Sequence, residues 1–343
     1  MILLKIGGAK VYENKNESKM YKEVGSEFHK MELDAGRGIF FPGVGSFTFS
    51  GRTAMETVLK KLPHIETALL PSYCCDSMIE PFRRAGISVD FFDVEYDGTL
   101  RYEINKSADM LLWCNYFGFK NEMPDFNGII VEDITHSLLS DISHHMRSNF
   151  LVASVRKWEP LYCGGYCSVT TDSIEPPGEF VENKSRAMEL KTQYLVDGDE
   201  DKKAEYLSLF RKSNEWLANN YSGLGMDHYS REYLTSVDIE RHKEIRRRNA
   251  RILYEGLQGK VDFLFPLDQM DCPLFVPIVC ANAAERNKLR NKLTAERIYC
   301  PVHWPHPNAD CQSNLYEIEL SLICDQRYNE DDMERIVSVL SEI

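Results

Sequence analysis

The sequence predicts an α/β protein built on a mostly parallel β-sheet with helices on both faces. Between about residues 50 and 170, apolar runs of strand length alternate with segments whose apolar residues recur at helical spacing. A shorter pattern of strands and helices follows in the C-terminal part of the chain. Such alternation is typical of parallel sheets, because the chain must cross back, usually as a helix, before it can add another parallel strand.

The first elements of this region have recognisable boundaries. "SGRTAMETVLKKL" is predicted as a helix that begins near Ser50 and carries Ala54 and Val58 on one apolar face. "TALLPSY" is predicted as a strand that ends at Pro71. "SMIEPFRRAG" is predicted as a helix closed by Gly86.

Five further apolar runs are predicted as strands. They are "ISVDFFDV", "MLLWCNYFG", "GIIVEDITHS", "FLVASVRK" and "YCSVTT". Three of them run out into polar residues, in the segments "NYFG", "EDITHS" and "SVRK". In parallel sheets, ligands bind beyond the carboxyl ends of the strands. We therefore expect the functional site where these polar tails meet.

The remainder of the chain predicts a helical segment followed by a small second domain. Residues 176–223 are polar and helix-prone, and "SVDIERHKEIRRRNARILYEGLQG" is predicted as a long helix with a glycine stop. "CPLFVPIVCA" and "YEIELSLIC" are predicted as strands, each followed by a helix. We expect a large domain over residues 1–235 and a small α+β domain over residues 236–343.

The composition predicts a folded cytoplasmic protein that binds neither nucleic acid nor membranes. Of the 343 residues, 43% are hydrophobic, and 53 acidic residues against 40 basic ones give a net charge of -13, which repels polyanions. No apolar run approaches the ~20 residues that cross a bilayer. The start, "MILLKIGGAKVYENKNESK", lacks the pattern of a secretory signal. The cysteines are scattered, several of them within apolar runs, which favours reduced, buried thiols.

The segment "FSGRTAM" places Gly51, Arg52 and Thr53 at the start of the first predicted helix. Unpaired backbone N–H groups, the positive end of the helix dipole and a hydroxyl group suit a phosphate. The alternative interpretation is ordinary helix capping by Ser50.

Two strand ends carry polar side chains. "VEDITHS" places Asp133 and His136 just past a buried strand, where the acid could serve as a base, a metal ligand or the partner of a cationic ring nitrogen. "NYFG" places Asn115 and Tyr116 at a neighbouring strand end. A structural role for the aspartate, and turn formation before Gly118, are the alternatives.

Lys157 follows the small and apolar run "VASV" and precedes the pair Gly164 and Gly165. A lone lysine is usually a solvated charge, but this approach favours a side chain that points into a cleft. A phosphate site, a lysine amine and an acid together fit pyridoxal phosphate. Its aldehyde reacts with a lysine amine, and its ring acts as an electron sink when an acid keeps the ring nitrogen protonated.

Several segments carry a resemblance to a known family. "SGRTAM", "LPSYCCDSMIEPF", "VEDITHSLL", "SVRKWEPLYCGG" and "LSLICDQRYNEDDMERIV" resemble the DegT/DnrJ/EryC1/StrS family of fold-type-I pyridoxal-phosphate aminotransferases. The resemblance runs from about residue 45 to the end of the chain. It implies a fold-type-I large domain and a small C-terminal α+β domain.

The resemblance implies roles for individual residues. Lys157 would bind the cofactor aldehyde as an imine, Asp133 would contact the pyridine nitrogen, and His136 would contact the ring hydroxyl. The expected cofactor contacts are Gly51, Arg52, Thr53, Tyr73, Cys75, Asn115, Asp133, His136, Ser154 and Lys157, with Tyr116 and His303 expected to touch substrate.

The implied activity is amino transfer by a ping-pong route. The donor would be an amino acid, with glutamate expected, and the acceptor a keto-sugar, often nucleotide-linked, or a related ketone. Lys157 would carry the proton between the α-carbon and the cofactor. The family also implies a homodimer with the cofactor at the subunit interface.

The sequence departs from the family pattern near the cofactor ring. Family members place an aromatic residue on the ring a few residues after the proline of the "PSY" segment, whereas here that offset falls on Cys74 or Cys75. Either Tyr73 shifts to stack on the ring or a thiol packs there. The serine-rich run common before the lysine is reduced to Ser154.

Three other patterns have competing interpretations. "CPVHWPHP" spaces Cys300, His303 and His306 like metal ligands, but its prolines make it extended and we expect no metal, only a loop that borders the substrate. The basic run "RHKEIRRRNAR" predicts a solvated helix face, with a phosphate contact as the alternative. Cys75 and Cys163 lack the visible base of a nucleophilic cysteine. The pair "HH" at residues 144–145 carries no predicted role.

Two competing functions stay open. A pyridoxal-phosphate enzyme that dehydrates a keto-sugar would normally carry histidine in place of Lys157. A non-catalytic or regulatory descendant would keep the fold, with or without the cofactor, and would not consume glutamate.

Overall fold

The computed structural model describes residues 23–41, 44–141 and 147–342. The start of the chain, on which the expectation of no secretory signal rests, lies outside the described residues, as does the histidine pair at 144–145. Within the described part, no helix is both long and apolar enough to cross a bilayer.

An eight-stranded mixed sheet forms the centre of the molecule. Its strands are β2 (Ser46–Thr48), β3 (Thr67–Pro71), β4 (Ser88–Tyr96), β5 (Leu100–Glu103), β6 (Met110–Cys114), β7 (Ile129–Asp133), β8 (Phe150–Ala153) and β9 (Gly165–Cys167). Their spatial order is β2-β9-β8-β7-β6-β3-β4-β5, with parallel pairing from β8 through β4 and antiparallel pairing at both edges. The mostly parallel sheet that we predict is confirmed.

Helices accompany this sheet, and all but α5 of those named here lie in segments that we predict as helical. They are α1 (Gly51–Lys60), α2 (Asp76–Ala85), α3 (Gly178–Asp197), α4 (Glu200–Asn219), α5 (His228–Ser236) and α6 (Ile239–Leu257). Ser50 caps α1 by accepting the N–H of Thr53 at 3.2 Å. Gly86 ends α2 at φ 73°, in the left-handed region that glycine enters without strain.

The C-terminal part forms a second, three-stranded antiparallel sheet in the order β10-β11-β13. Its strands and helices are β10 (Asp262–Phe263), β11 (Val276–Val279), α7 (Ala283–Ala295), α8 (Leu315–Ile318), β13 (Glu319–Leu322) and α9 (Glu330–Ser341). β12 (Ile298–Tyr299) pairs in parallel with β1 (Val24–Gly25) of the N-terminal segment. The last predicted strand starts later than expected, because residues 315–318 make a short helix before it.

The basic run on α6 is more buried than we predict. The basic run is not a solvated face throughout, because His242 and Arg246 on α6 are 5% and 0% exposed. His242 and Arg246 lie on the same face of this amphipathic helix as its buried hydrophobic residues, so they are buried together.

The domain division near residue 235 stays a prediction, since one hydrophobic cluster includes both Leu112 and Val276.

Candidate active site

A cavity lies beyond the carboxyl ends of the central parallel strands. Its walls come from the start of α1 and from the residues that follow β6, β7 and β8. The predicted residues that line it are Gly51, Arg52, Cys75, Asn115, Tyr116, Asp133, His136, Ser154 and Lys157. Thr53, Tyr73 and His303 are not among its lining residues.

Lys157 is the last residue of a short 3-10 turn, Val155–Lys157, that follows β8. Trp158 anchors the turn, since its indole N–H donates to the Thr135 carbonyl at 2.6 Å. The Lys157 amine lies 3.5 Å from Nε2 of His136 and 5.7 Å from the centre of the Trp304 ring. Burial lowers the pKa of Lys157, and Cys75 and Asp133 oppose that shift.

Asp133 ends β7, and the backbone N–H of Thr135 donates to its Oδ1 at 2.8 Å. Burial raises the pKa of this carboxyl group, while the Thr135 bonds and the charge of Lys157 act in the opposite direction. Among the described residues, no cation lies within ion-pair distance of Asp133. The carboxylate is therefore available for a cationic partner from outside the chain.

His136 stands beside the lysine as a neutral ring. Burial, together with the charges of Lys157 and His303, holds its pKa well below the usual range. Its ring stacks on Trp304 at 5.4 Å between centres. A neutral imidazole can donate from one nitrogen and accept at the other, so His136 can serve two partners.

The start of α1 forms one end of the cavity. A Cβ atom on Gly51 would come within 3.2 Å of Cβ of Ser154, so glycine keeps this approach open. A Cβ atom on Gly165 would stand 2.3 Å from the Ser50 carbonyl oxygen. The glycine pair after the lysine therefore lets β9 lie against the start of α1.

At this end of the cavity, two of the predicted side chains form hydrogen bonds with other parts of the protein. Thr53 is 2% exposed, and its hydroxyl donates to the Tyr221 carbonyl at 2.9 Å, because the side chain points into the protein behind the helix start. Nε of Arg52 donates to Glu80 of α2 at 2.9 Å. Gly51, Arg52 and Thr53 therefore contribute the N-terminus of α1 to the cavity. Ser50 caps this helix, as in the alternative interpretation.

Asn115 and Tyr116 follow β6, and both are tied to the protein around them. The Asn115 amide donates to Glu132, and its Oδ1 accepts the Trp113 indole N–H at 3.1 Å. The Tyr116 hydroxyl donates to the Tyr73 carbonyl at 2.5 Å. These bonds fix the wall of the cavity at the end of β6.

Tyr73 does not shift into the cavity. It is 0% exposed, its hydroxyl donates to the His303 carbonyl, and its ring packs against the rings of Tyr116 and Tyr316. Cys75 lines the cavity instead, with its Sγ 2.9 Å from Oγ of Ser77. The cavity thus has a thiol at the family's aromatic position.

Arg156 and Trp304 are among the cavity residues that sequence reasoning missed. Nε of Arg156 is buried without a hydrogen-bond partner among the described residues. The sequence signal that could have identified Arg156 is its position next to Lys157 in "SVRKW". Trp304 comes from the loop after β12 and brings an aromatic ring to the cavity. Its segment "CPVHWPHP" is the one that we predict to border the substrate, although the prediction there concerns His303 and not Trp304.

His303 lies outside this cavity, but it lines a neighbouring one that also reaches Lys157 and Arg156. Cys300, His303 and His306 do not form a metal site, and no cluster of metal-ligating side chains occurs in the described part of the chain.

No protein-family model matches the sequence, and no curated protein matches it either. The structure is similar to the PLP form of Spr1654, a putative sugar aminotransferase from Streptococcus pneumoniae, with a TM-score of 0.60, 12% identity and 87% of each chain covered. A DegT DnrJ EryC1 StrS aminotransferase from Brucella abortus is 16% identical, with a TM-score of 0.56 over 90% of this chain and 91% of that one. DesV from S. venezuelae, solved in complex with a ketimine intermediate, is 14% identical, with a TM-score of 0.59 over 87% and 84%. The chain therefore has the fold of these aminotransferases, which confirms the fold-type-I architecture.

Proposed function

We propose that this protein is a pyridoxal-phosphate-dependent aminotransferase that moves an amino group from an amino acid, with glutamate as the expected donor, to a keto-sugar or a related ketone. One observation carries the proposal: the amine of Lys157, the carboxylate of Asp133 and the N-terminus of α1 line one cavity. The cofactor has an aldehyde, a basic ring nitrogen and a phosphate, so each group has a chemical partner. The fold shared with sugar aminotransferases supports the same assignment.

The phosphate end of the cavity fits an anion. The first N–H groups of α1 have no partner within the helix, and the positive end of its dipole points the same way. Ser154 and Arg156 also line this cavity. Because Nε of Arg156 is buried and unpartnered, a bound phosphate would satisfy a donor that the described residues leave unpaired. The backbone N–H groups of Gly51 and Arg52, together with the side chains of Ser154 and Arg156, would hold this group.

The ring end of the cavity fits a cationic nitrogen heterocycle. Asp133 is half-buried and forms no ion pair with the described residues, and a protonated ring nitrogen would favour its charged form. His136 is placed to donate to a ring oxygen or to accept from the Lys157 amine. Cys75 and Trp304 would border the ring in place of the family's usual aromatic residue.

When bound, the cofactor supplies an electron sink for the electron pair left as a proton leaves the carbon beside the substrate nitrogen. Lys157 is the residue positioned to take that proton and return it. Its lowered pKa increases the fraction of neutral amine near neutral pH, as a general base requires. His136, held neutral by burial, adds no positive charge beside the amine.

The same proposal includes a cytoplasmic homodimer. All ten cysteines are free thiols, which supports a reducing compartment. Phe40, Val44 and Ile174 are 79%, 78% and 75% exposed, and a subunit interface that includes them would remove these apolar side chains from water. Light scattering on the purified protein tests the dimer, and a monomer at micromolar concentration would reject it.

The experiment that tests the activity is a visible absorbance spectrum of purified protein with added pyridoxal phosphate, before and after L-glutamate. We expect the band of lysine-bound cofactor to convert to the shorter-wavelength pyridoxamine form. A band that glutamate leaves unchanged would favour another donor or a binding-only protein. If no lysine-bound band forms, the proposal is wrong.

A further inference from the structure

A buried chain of hydrogen bonds links a carboxyl group to the ring of His303. Nδ1 of His303 lies 2.8 Å from Oγ of Ser321, and the Ser321 hydroxyl donates to Glu319. Glu319 also accepts the backbone N–H of His303 at 2.8 Å. Both β13 side chains are fully buried, and because they are two residues apart they share one face of the strand.

The rest of the His303 ring borders a cavity of about 590 Å³, which Lys157 and Arg156 also line. The ring is held between Phe117 and Phe275, at 5.5 and 4.9 Å between centres. Among the described residues, none forms a hydrogen bond with its second nitrogen, Nε2. Nε2 is therefore the atom that His303 can offer to a ligand in this cavity.

The single hydroxyl proton of Ser321 makes the chain a relay with two states. When Glu319 is ionised, Ser321 donates to the carboxylate and Nδ1–H of His303 donates to Ser321, which leaves a lone pair on Nε2. When Glu319 is protonated, it donates to Ser321, and Ser321 donates to Nδ1. The ring proton then resides on Nε2, so His303 becomes a donor at that edge. One proton is taken up, and the imidazole is neutral in both states.

We propose that Glu319 and Ser321 are positioning residues that decide, through Nδ1 of His303, whether this histidine offers an acceptor or a donor to the substrate in the cavity beside Lys157. The identity of that substrate, a hydroxyl-bearing ketone, rests on the function proposed above. A substrate hydroxyl would donate to the acceptor form, and a carbonyl oxygen would accept from the donor form. The hydrogen-bond relay is already present in the protein without a bound substrate or cofactor.

Several ionisable groups act on Glu319 from the elements packed around it. They are Tyr73 after β3, Cys280 after β11, Arg286 on α7, and Cys300 and His303 after β12. Burial raises the pKa of Glu319 to about 8, against the opposing bonds from Ser321 and from the backbone of His303. Burial and the charge of Lys157 hold the pKa of His303 well below its usual range, so the ring stays neutral while Glu319 titrates. The two states are therefore expected to exchange near pH 8.

The test follows the ring nitrogens of His303 by solid-state NMR, on sedimented protein that carries isotope-labelled histidine and no added cofactor. We expect the ring proton to reside on Nε2 below about pH 8 and on Nδ1 above it. His306 is the control within the same spectrum, because its Nδ1 lies 2.9 Å from the Pro307 carbonyl oxygen, outside the relay. The His303→Gln variant assigns the signals. A His303 ring that keeps one tautomer across the titration, or that becomes cationic, would overturn the proposal.

Two variants test the direction of control. In Glu319→Gln, the backbone N–H of His303 donates to the oxygen of the glutamine side chain and so fixes its orientation. The amide nitrogen of that side chain then faces Ser321 and donates to it at every pH. His303 should then keep the Nε2–H form at every pH. In Ser321→Ala, the His303 tautomer should no longer change with pH near 8. If a variant fails to fold, as thermal unfolding would reveal, the wild-type titration still decides.

Kinetics separate the relay from the proposed function. In the wild-type enzyme, kcat/KM for the ketone should change near pH 8, and Glu319→Gln should remove that change while KM for the amino donor stays within about twofold. Absence of amino transfer together with a tautomer change would reject the function and keep the relay. Amino transfer together with a fixed His303 tautomer would support the proposed function and reject the relay.

Discussion

Buried charges are handled differently in two regions of the molecule. Where the N-terminal segment meets α4 and the C-terminal part, Lys203 pairs with Glu23 at 2.6 Å and Arg327 pairs with Asp325 at 2.7 Å. In the cavity at the strand ends, Lys157 and Asp133 form no ion pair with the described residues. Leaving a buried charge unpaired is costly, so a protein keeps one mainly where a ligand completes it. The difference separates charges that serve the fold from charges that serve a ligand.

The largest effect is expected from Lys157→Ala. Because the lysine is both the group that binds the cofactor covalently and the general base, we expect kcat to fall by about 10⁴-fold and the visible band to disappear. Lys30→Ala is the matched control, since Lys30 pairs with Glu189 on an exposed surface at 2.6 Å. Steady-state kinetics and absorbance spectra measure both effects. Turnover retained in Lys157→Ala would remove the basis of the comparison.

The second effect concerns the unpaired acid. Asp133→Asn should keep cofactor bound but lower kcat by roughly 10²-fold, because the neutral amide no longer stabilises a protonated ring nitrogen. Cofactor retention after gel filtration and the rate of the glutamate half-reaction measure the two properties separately. A normal rate in this variant would mean that Asp133 is a structural residue.

The third prediction concerns the paired charges where the N-terminal segment meets the C-terminal part. Arg327 and Asp325 form a buried pair with contacts of 2.7 and 2.9 Å. Asp325→Asn leaves the guanidinium without its counter-charge, so the free energy of unfolding should fall by about 3 kcal/mol. Chemical denaturation measures this loss, and the Kd for pyridoxal phosphate should stay unchanged. A large rise in Kd would show that the two regions are not independent.

The fourth prediction compares two arginines that line the same cavity. Arg156→Ala should weaken cofactor binding by about tenfold, because a charge-assisted hydrogen bond to phosphate is lost. Arg52→Ala is the matched control, since its guanidinium is already engaged by Glu80 at 2.9 Å. Titration with pyridoxal phosphate gives both Kd values, and inorganic phosphate should compete less well in Arg156→Ala. Equal effects in the two variants would count against a phosphate contact for Arg156.

Stability is also expected to depend on pH through the structural charges. Burial lowers the pKa of Lys191 to about 7, from 10.5. The unfolded chain binds this proton more tightly, so stability should rise as the pH increases from 7 to 10.5, by at most about 1.4 kcal/mol per pH unit. Lys191→Met should lack this component, which denaturation of both proteins across that range would show. Parallel pH profiles would mean that Lys191 remains charged in the folded protein.

Much of the fold could be predicted from the sequence, because its signals are local. Ser50 and Gly86 mark helix ends through capping and left-handed backbone, which are properties of one or two residues. The apolar runs of β3, β6, β7 and β8 are strands because they are buried on both faces in a parallel sheet. β5, with only four residues and an exposed face, gave no comparable signal.

The candidate site was predictable where it lies on these elements. Asp133 and Lys157 follow predicted strands, so the carboxyl-end rule for parallel sheets placed them together. Tyr73 and Thr53 do not line the cavity, and sequence spacing could not show this because it does not say which way a side chain points. Trp304 was missed because it comes from another part of the chain, about 150 residues beyond the lysine in sequence.

By itself, the sequence determined the order of strands and helices, the mostly parallel sheet and the identity of the groups at its strand ends. These follow from periodicity and from residues whose conformational preferences act over a few positions. Only the tertiary structure decided which charges are paired. It also decided that Cys75 and Trp304 border the cavity, and that Glu319 reaches His303 through Ser321. Pairing and burial depend on contacts between distant parts of the chain, and no local pattern encodes them.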